Sequence, residues 1–331
     1  MPAGAVDLHA HWVPPALADL LRAREGAVPR IERLATGGER LVMPIGTLGF
    51  DASHVDPAAR LASMDRFGVA RQLLSLPGLF GVDSLPLAQS LPLVRLFNDA
   101  CAQLCREHPA RFAGLAALPL ADMDAAIAEL RRARRVLGLL GAILPVDGFL
   151  SVASAARLAA LFAEANALGA HVFIHPGRVA DGGPLPALPP DHDLARRALA
   201  VQHDVGEAMV TLLLSDFLDP YPDVTVQVAN LGGTFPAVVE RMDHMVQLRT
   251  TGGMLPSSRA GRVWVDCASL GTRALEQAVG VFGAGRVVVG TDCPIFDTER
   301  TLAAVRAARL DDAQRQQILH GNAQALLARL A

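Results

Sequence analysis

The chain has 331 residues, more than one compact core usually needs but within the reach of an α/β barrel folded as a single domain. With 51% hydrophobic and 19% charged residues it is neither disordered nor fibrous. The formal net charge is -3, and no basic run is free of interleaved Ala or Leu, which excludes a nucleic-acid footprint and a polybasic membrane patch and favours a small-molecule partner.

All 30 basic residues are arginine, so chemistry that needs lysine is excluded: Schiff bases, P-loop phosphate binding, and a carbamylated lysine bridging two metals. The four cysteines form no CxxC pair and read as reduced thiols in a cytoplasm. The longest apolar run, around Val136 to Val146, is too short to span a bilayer, and no apolar stretch of signal length precedes Asp7. A soluble, cytoplasmic protein with no membrane partner is expected.

In chain order, eight short apolar runs are predicted as strands: Val6 to His9, Ala70 to Leu76, Phe112 to Leu118, Leu139 to Leu144, Ala170 to His175, Val224 to Asn230, Val263 to Ala268 and Val287 to Thr291. Helical periodicity lies between them, over Pro57 to Phe67, Leu91 to Glu107, Asp122 to Leu137, Ala153 to Leu168, Val205 to Leu218, Phe235 to Leu248 and Thr272 to Phe282. Asp56 and Asp122 stand at N-cap positions, and Gly68 and Gly169 where helices should stop. The pattern predicts one distorted (β/α)8 TIM barrel over residues 1–331. Two longer segments, 19–52 and Gly177 to Pro190, follow strand C-termini. The first is expected as a small cap inserted after the first strand, and both as lids or pocket walls.

The chemistry-bearing residues fall at strand tips. Asp7-Leu8-His9-Ala10-His11 puts two imidazoles at i and i+2, which alternation points to one face. Alone, the pair is as readily two surface or capping histidines as two ligands of a borderline metal such as Zn. His175 ends the fifth apolar run before Pro176-Gly177, and Asp292 ends the eighth in Gly290-Thr291-Asp292-Cys293-Pro294. A carboxylate there is costly to bury without a partner. Together, His9, His11, His175 and Asp292 describe an open metal site with room for water, and their joint placement argues for one divalent ion, assigned as Zn.

The ordered series of motifs resembles the amidohydrolase superfamily, in its branch of amidohydrolase-related decarboxylases. It runs from Val6-Asp7-Leu8-His9-Ala10-His11 and Arg60-Leu61-Ala62-Ser63-Met64-Asp65-Arg66-Phe67-Gly68-Val69 to His175-Pro176, then Tyr221-Pro222-Asp223-Val224, Leu231-Gly232-Gly233, Gly290-Thr291-Asp292-Cys293-Pro294 and Gly321-Asn322-Ala323. The resemblance implies one metal on the same four residues, and the missing lysine agrees with a mononuclear centre. It also implies a histidine at the tip of the sixth strand as general acid/base, where this chain has Asn230, a carboxamide that cannot shuttle protons near neutral pH. His203 and Asp204 are candidate replacements, or simply solvated helix-start residues.

Substrate contacts are expected from Arg178, a carboxylate clamp or a surface arginine, and from Trp12 and Phe296 as walls of an aromatic pocket or as packing residues. By resemblance, Arg241 reaches the site of a second subunit, which implies a functional homodimer. The cysteines Cys101, Cys105, Cys267 and Cys293 read as small buried residues. The leading expectation is a lyase that decarboxylates a small aromatic or unsaturated acid, with Asp292 and Asn230 as catalytic residues. The alternatives are a hydrolase of an amide, lactone or related bond, and a non-catalytic relative.

Overall fold

A computed structural model describes residues 4–179 and 188–330. Eight parallel strands wind in chain order into a closed barrel: β1 (Ala5–His11), β5 (Val69–Ser75), β6 (Phe112–Gly114), β7 (Gly141–Pro145), β8 (His171–His175), β9 (Thr225–Val228), β10 (Trp264–Asp266) and β11 (Val287–Val288). Regular pairing joins β1-β5-β6 and β7 through β11. Single bridges close the two gaps: Ala116 pairs with Ala142, and Asp7 and Ala10 pair with Val289 and Cys293. All eight predicted strands are present. The sixth and eighth end early, at Val228 and Val288, and beyond them Asn230 and Asp292 take left-handed φ angles of 57° and 56°.

Helices follow the strands on the outside, bounded as their caps dictate. The helix Pro57–Phe67 starts on the Asp56 carboxylate, which accepts from Ala58 N–H, and stops at left-handed Gly68. Asp122 caps Met123–Arg132 in the same way. The helix predicted from Val205 instead starts at Asp193, so it is longer at its N-terminal end than the apolar periodicity indicated. The predicted Ala153 to Leu168 helix is two pieces, Val152–Ala156 and Ala159–Ala167.

A cluster of Val6, Leu8, Leu73, Ala113, Leu115, Ile143, Phe173, Ala229 and Val288 fills the barrel, and Ala323, Leu326, Leu327 and Leu330 of the last helix join it. Ala5 and Ala10 of β1 belong instead to the larger cluster between strands and helices. The change of face along β1 is possible because its pairing with β5 slips between Asp7 and Ala10, a bulge that lets Leu8 and His9 both turn inward.

The insertion after β1 contains an antiparallel sheet of β2 (Arg30–Arg33), β3 (Glu39–Met43) and β4 (Gly46–Phe50). Its turn packs so closely on the loop after β5 that a Cβ on Gly81 would lie 2.6 Å from Pro44. Arg197, in the helix that follows β8, donates to the Ile45 carbonyl at 2.6 Å. The sheet thus stands on the side of the barrel where the strands end. The segment Gly177 to Pro190 lies largely outside the described residues.

Candidate metal centre

His9, His11, His175 and Asp292 each offer one ligand atom, and these four atoms lie within 4.8 Å of one another. The Nε2 atoms of His9 and His11 are 3.2 Å apart, as are those of His11 and His175. Asp292 Oδ1 is 3.1 Å from His11 Nε2 and 3.4 Å from His9 Nε2. All four residues are buried, the imidazoles almost completely.

The opposite nitrogen of each ring fixes its tautomer. His175 Nδ1 is 2.8 Å from the Pro176 carbonyl, an obligate acceptor, so Nδ1 carries the proton. His11 Nδ1 is 3.0 Å from Ser75 Oγ, whose own hydroxyl points at the Ala10 carbonyl. His9 Nδ1 faces the Asp266 carboxylate at 3.0 Å. Three bare Nε2 lone pairs therefore converge on Asp292 Oδ1, itself buried with no hydrogen-bond partner in the protein. Such a set repels itself unless a cation lies among its members, and three nitrogens with one carboxylate oxygen suit a divalent ion.

The electrostatics agree. Burial opposes charge on His9, but the Asp266 and Asp292 carboxylates outweigh it and hold its pKa up at about 10. The same carboxylates that favour a proton there favour a metal ion at Nε2. Burial pushes His11 below the ordinary imidazole range and His175 well below it. Burial alone would raise Asp292, yet the neighbouring imidazoles of His9 and His11 hold it far below the usual carboxylate range.

Local backbone shape aims these groups. Asp292 and Asn230 sit in the left-handed region, a strained conformation held here by neighbours: Asp292 N–H donates to the His9 carbonyl at 2.7 Å. Gly290 must lack a side chain, because a Cβ would lie 2.6 Å from His9 Cβ and 2.7 Å from Asp266 Oδ1. Arg60, buried, donates to the carbonyls of His11, Ser53 and Cys293, tying together the ends of β1 and β11.

Other predicted residues separate into near and far. Asn230 is buried beside the centre: its N–H points at Asp266 Oδ1 at 3.4 Å, and its side-chain Oδ1 has no partner in the protein. Trp12 is buried, with its indole N–H on the Val55 carbonyl at 3.1 Å. Arg178 is partly buried, and its charge acts on Asp204, whose carboxyl burial pushes above the usual value while His203 and Arg178 oppose the rise. Because its helix starts at Asp193, His203 sits mid-helix with a side chain 66% exposed, 3.9 Å from Glu207. Phe296 and Arg241 are exposed.

Sequence reasoning assigned no role to Asp266, Ser75 or Gly290. A signal existed for the first: Asp266 is a lone carboxylate inside the apolar seventh run, where burial without a partner is as costly as it is at Asp292.

The Amidohydrolase family model matches residues 6–329. The 2-amino-3-carboxymuconate-6-semialdehyde decarboxylase of Dictyostelium discoideum is 30% identical over 74% of this chain and 68% of its own. The gamma-resorcylate decarboxylase of Rhodococcus jostii is 27% identical over 81% and 86%. The crystal structure of a dihydroxybenzoic acid decarboxylase from Polaromonas, with bound manganese and 2-nitroresorcinol, superposes with a TM-score of 0.72 at 22% identity, covering 98% of this chain and 97% of that one.

Proposed function

The chain belongs to the amidohydrolase family, and on that footing we propose that it is a mononuclear metal-dependent lyase that decarboxylates a small aromatic or unsaturated carboxylic acid. The observation that carries this reading is the convergence of three bare imidazole nitrogens and one carboxylate at the strand ends of a barrel whose relatives are decarboxylases. His9, His11, His175 and Asp292 would hold the ion, with Asp266, Ser75 and the Pro176 carbonyl orienting the rings. A nitrogen-rich set of this kind suits Zn, although manganese occupies the Polaromonas structure. When bound, the metal supplies Lewis-acid polarisation of substrate oxygens.

The protein's own groups do the rest. Arg178 clamps a substrate carboxylate, and Trp12 backs the pocket wall. Asn230 offers its unpartnered Oδ1 to a substrate O–H or N–H. As CO2 leaves, one C–C bond breaks and its electron pair stays on the substrate carbon. A proton taken up from solvent and passed through the outer oxygen of Asp292 then forms the new C–H bond, while CO2 departs. Residues 19–52 act as a cap over the site within a single barrel domain.

No helix among the described residues is long and apolar enough to cross a membrane, and none of the four cysteines is in a disulfide, which supports a reducing, cytoplasmic setting. The helix Phe235–Arg249 exposes Val238, Met245 and Leu248 at helical spacing around Arg241. This stripe supports a homodimer in which Arg241 serves the neighbouring site. Sedimentation showing a stable monomer would remove that role.

Measuring CO2 release from a panel of aromatic and unsaturated acids, beside hydrolysis of lactones and amides, tests the reaction. Asn230 in place of a histidine favours the hydrolytic reading, and turnover confined to lactones and amides would establish it over the lyase.

A further inference from the structure

Behind the metal centre a chain of fully buried polar groups crosses the barrel interior. His171, at the start of β8, places Nε2 3.2 Å from Gln227 Oε1 on β9. Gln227 Nε2 donates to Asp266 Oδ2 on β10 at 2.9 Å and to the Leu8 carbonyl on β1 at 3.3 Å. Asp266 Oδ1 then accepts from His9 Nδ1 at 3.0 Å and from the Ala268 N–H at 3.1 Å. All four side chains are inaccessible to solvent.

The chain has one consistent direction. The nitrogen end of the Gln227 amide faces two acceptors, a carboxylate and a carbonyl, so a flipped amide would set oxygen against oxygen twice. Its oxygen must then accept from His171 Nε2–H, which fixes the His171 tautomer. Burial holds the His171 pKa down at about 4, so this ring stays neutral and keeps its role over the working pH range. Neither His171 nor Gln227 belongs to the metal-donor set, and neither bonds a member of it directly. A buried polar pair costs stability unless it is bonded, and among the described residues the one further side chain this pair bonds is Asp266.

We propose that Gln227, held by His171, is a positioning residue that fixes the Asp266 carboxylate so that His9 presents a bare Nε2 to the metal. The inference rests on the metal-site reading above and adds a layer behind it. With Gln227 in place, Asp266 Oδ2 is committed and Oδ1 is left for His9. Without it, the carboxylate loses its inner donor and can turn away from the ring.

The test uses the chelator-treated full-length chain titrated with Zn against a chromophoric competitor, and the visible spectrum of the Co-loaded protein. Gln227→Met keeps the volume and removes the amide, and is expected to weaken Zn about 10–100-fold and to change the Co spectrum. Gln227→Glu sets a second carboxylate against Asp266 and is expected to weaken Zn more. His171→Phe leaves every Asp266 contact in place and is expected to act in the same direction by less. A purely structural role would lower the melting temperature of the metal-free protein but leave the metal affinity and the Co spectrum unchanged in Gln227→Met, and that result overturns the proposal. If Gln227→Met does not fold, His171→Phe decides: wild-type affinity and spectrum overturn it. A wild-type chain that binds no metal sinks the metal-site reading and this inference together, whereas wild-type binding with equal binding by the variants sinks this inference alone.

Discussion

Asp7 and Thr291 are joined twice: the Thr291 hydroxyl donates to Asp7 Oδ2 at 2.6 Å and its N–H to Asp7 Oδ1 at 3.0 Å. Gln72 Nε2 and the His9 N–H donate to the same carboxylate at 2.9 and 3.1 Å. Asp7 thus accepts from its own strand, from β5 and from the segment just past β11 with no access to solvent, and each donor would be stranded without it. Asp7→Leu should cost about 2–4 kcal/mol of stability, read from urea unfolding of the metal-free protein. Asp7→Asn should also destabilise, because its amide N–H2 would face donors. Wild-type unfolding midpoints in both variants would refute this account of the seam.

Gly290→Ala should abolish metal uptake with the barrel retained. The added methyl meets His9 Cβ and the Asp266 carboxylate, neither of which is a flexible side-chain end. Elemental analysis beside a far-UV circular dichroism spectrum checks it, and a full metal complement in the variant would be the contrary result.

His175→Ala and Asp292→Ala should each lose most of the bound metal and of the activity, and a chelator should lower the melting temperature of the wild type but not of these variants. Two ions per wild-type chain, or fully active metal-free protein, would exclude the mononuclear centre.

Asn230→His tests the reaction. Histidine tolerates the left-handed backbone at this position, as asparagine does. If the chemistry is decarboxylation with a displaced proton shuttle, turnover should hold or rise. If Asn230 instead binds a substrate donor, Asn230→His should impair turnover, and Asn230→Leu should cost about 1–3 kcal/mol in kcat/KM.

Asp83, buried in the loop after β5, has a carboxyl pushed up to about 7 by burial and by the charge of Asp147, and its Oδ1 has no partner in the protein. In the unfolded chain the group titrates near the ordinary carboxylate value, so at intermediate pH the folded state binds the extra proton. Stability from this group is full below about pH 4 and is lost as pH rises through about 7. Asp83→Asn should flatten that fall, being more stable than wild type at pH 8 relative to pH 5. Parallel unfolding curves at the two pH values would contradict it.

The barrel was legible because parallel strands buried on both faces write themselves as apolar runs, and the metal donors because each ends such a run with a polar side chain. The supporting groups were harder to find. Ser75 and Asp7 resemble ordinary strand residues until pairing brings them beside His11 and Thr291. Strict alternation along β1 gives no hint of the slip between Asp7 and Ala10, and His203 looked available only because the helix start at Asp193 carries weak apolar periodicity.

The bonds from Leu8 N–H to the Val289 carbonyl and from Asp292 N–H to the His9 carbonyl join the first barrel strand to the last. Three of the four donors for the ion flank that joint, His9 and His11 on the first strand and Asp292 just past the last. During synthesis the nascent chain therefore carries His9, His11 and His175 long before Asp292 leaves the ribosome, and high-affinity uptake must await the closing strand. Metal capture then reports completion of the fold: a chain released before Val287 should hold its ion weakly or not at all, and loading should follow, rather than guide, assembly of the barrel.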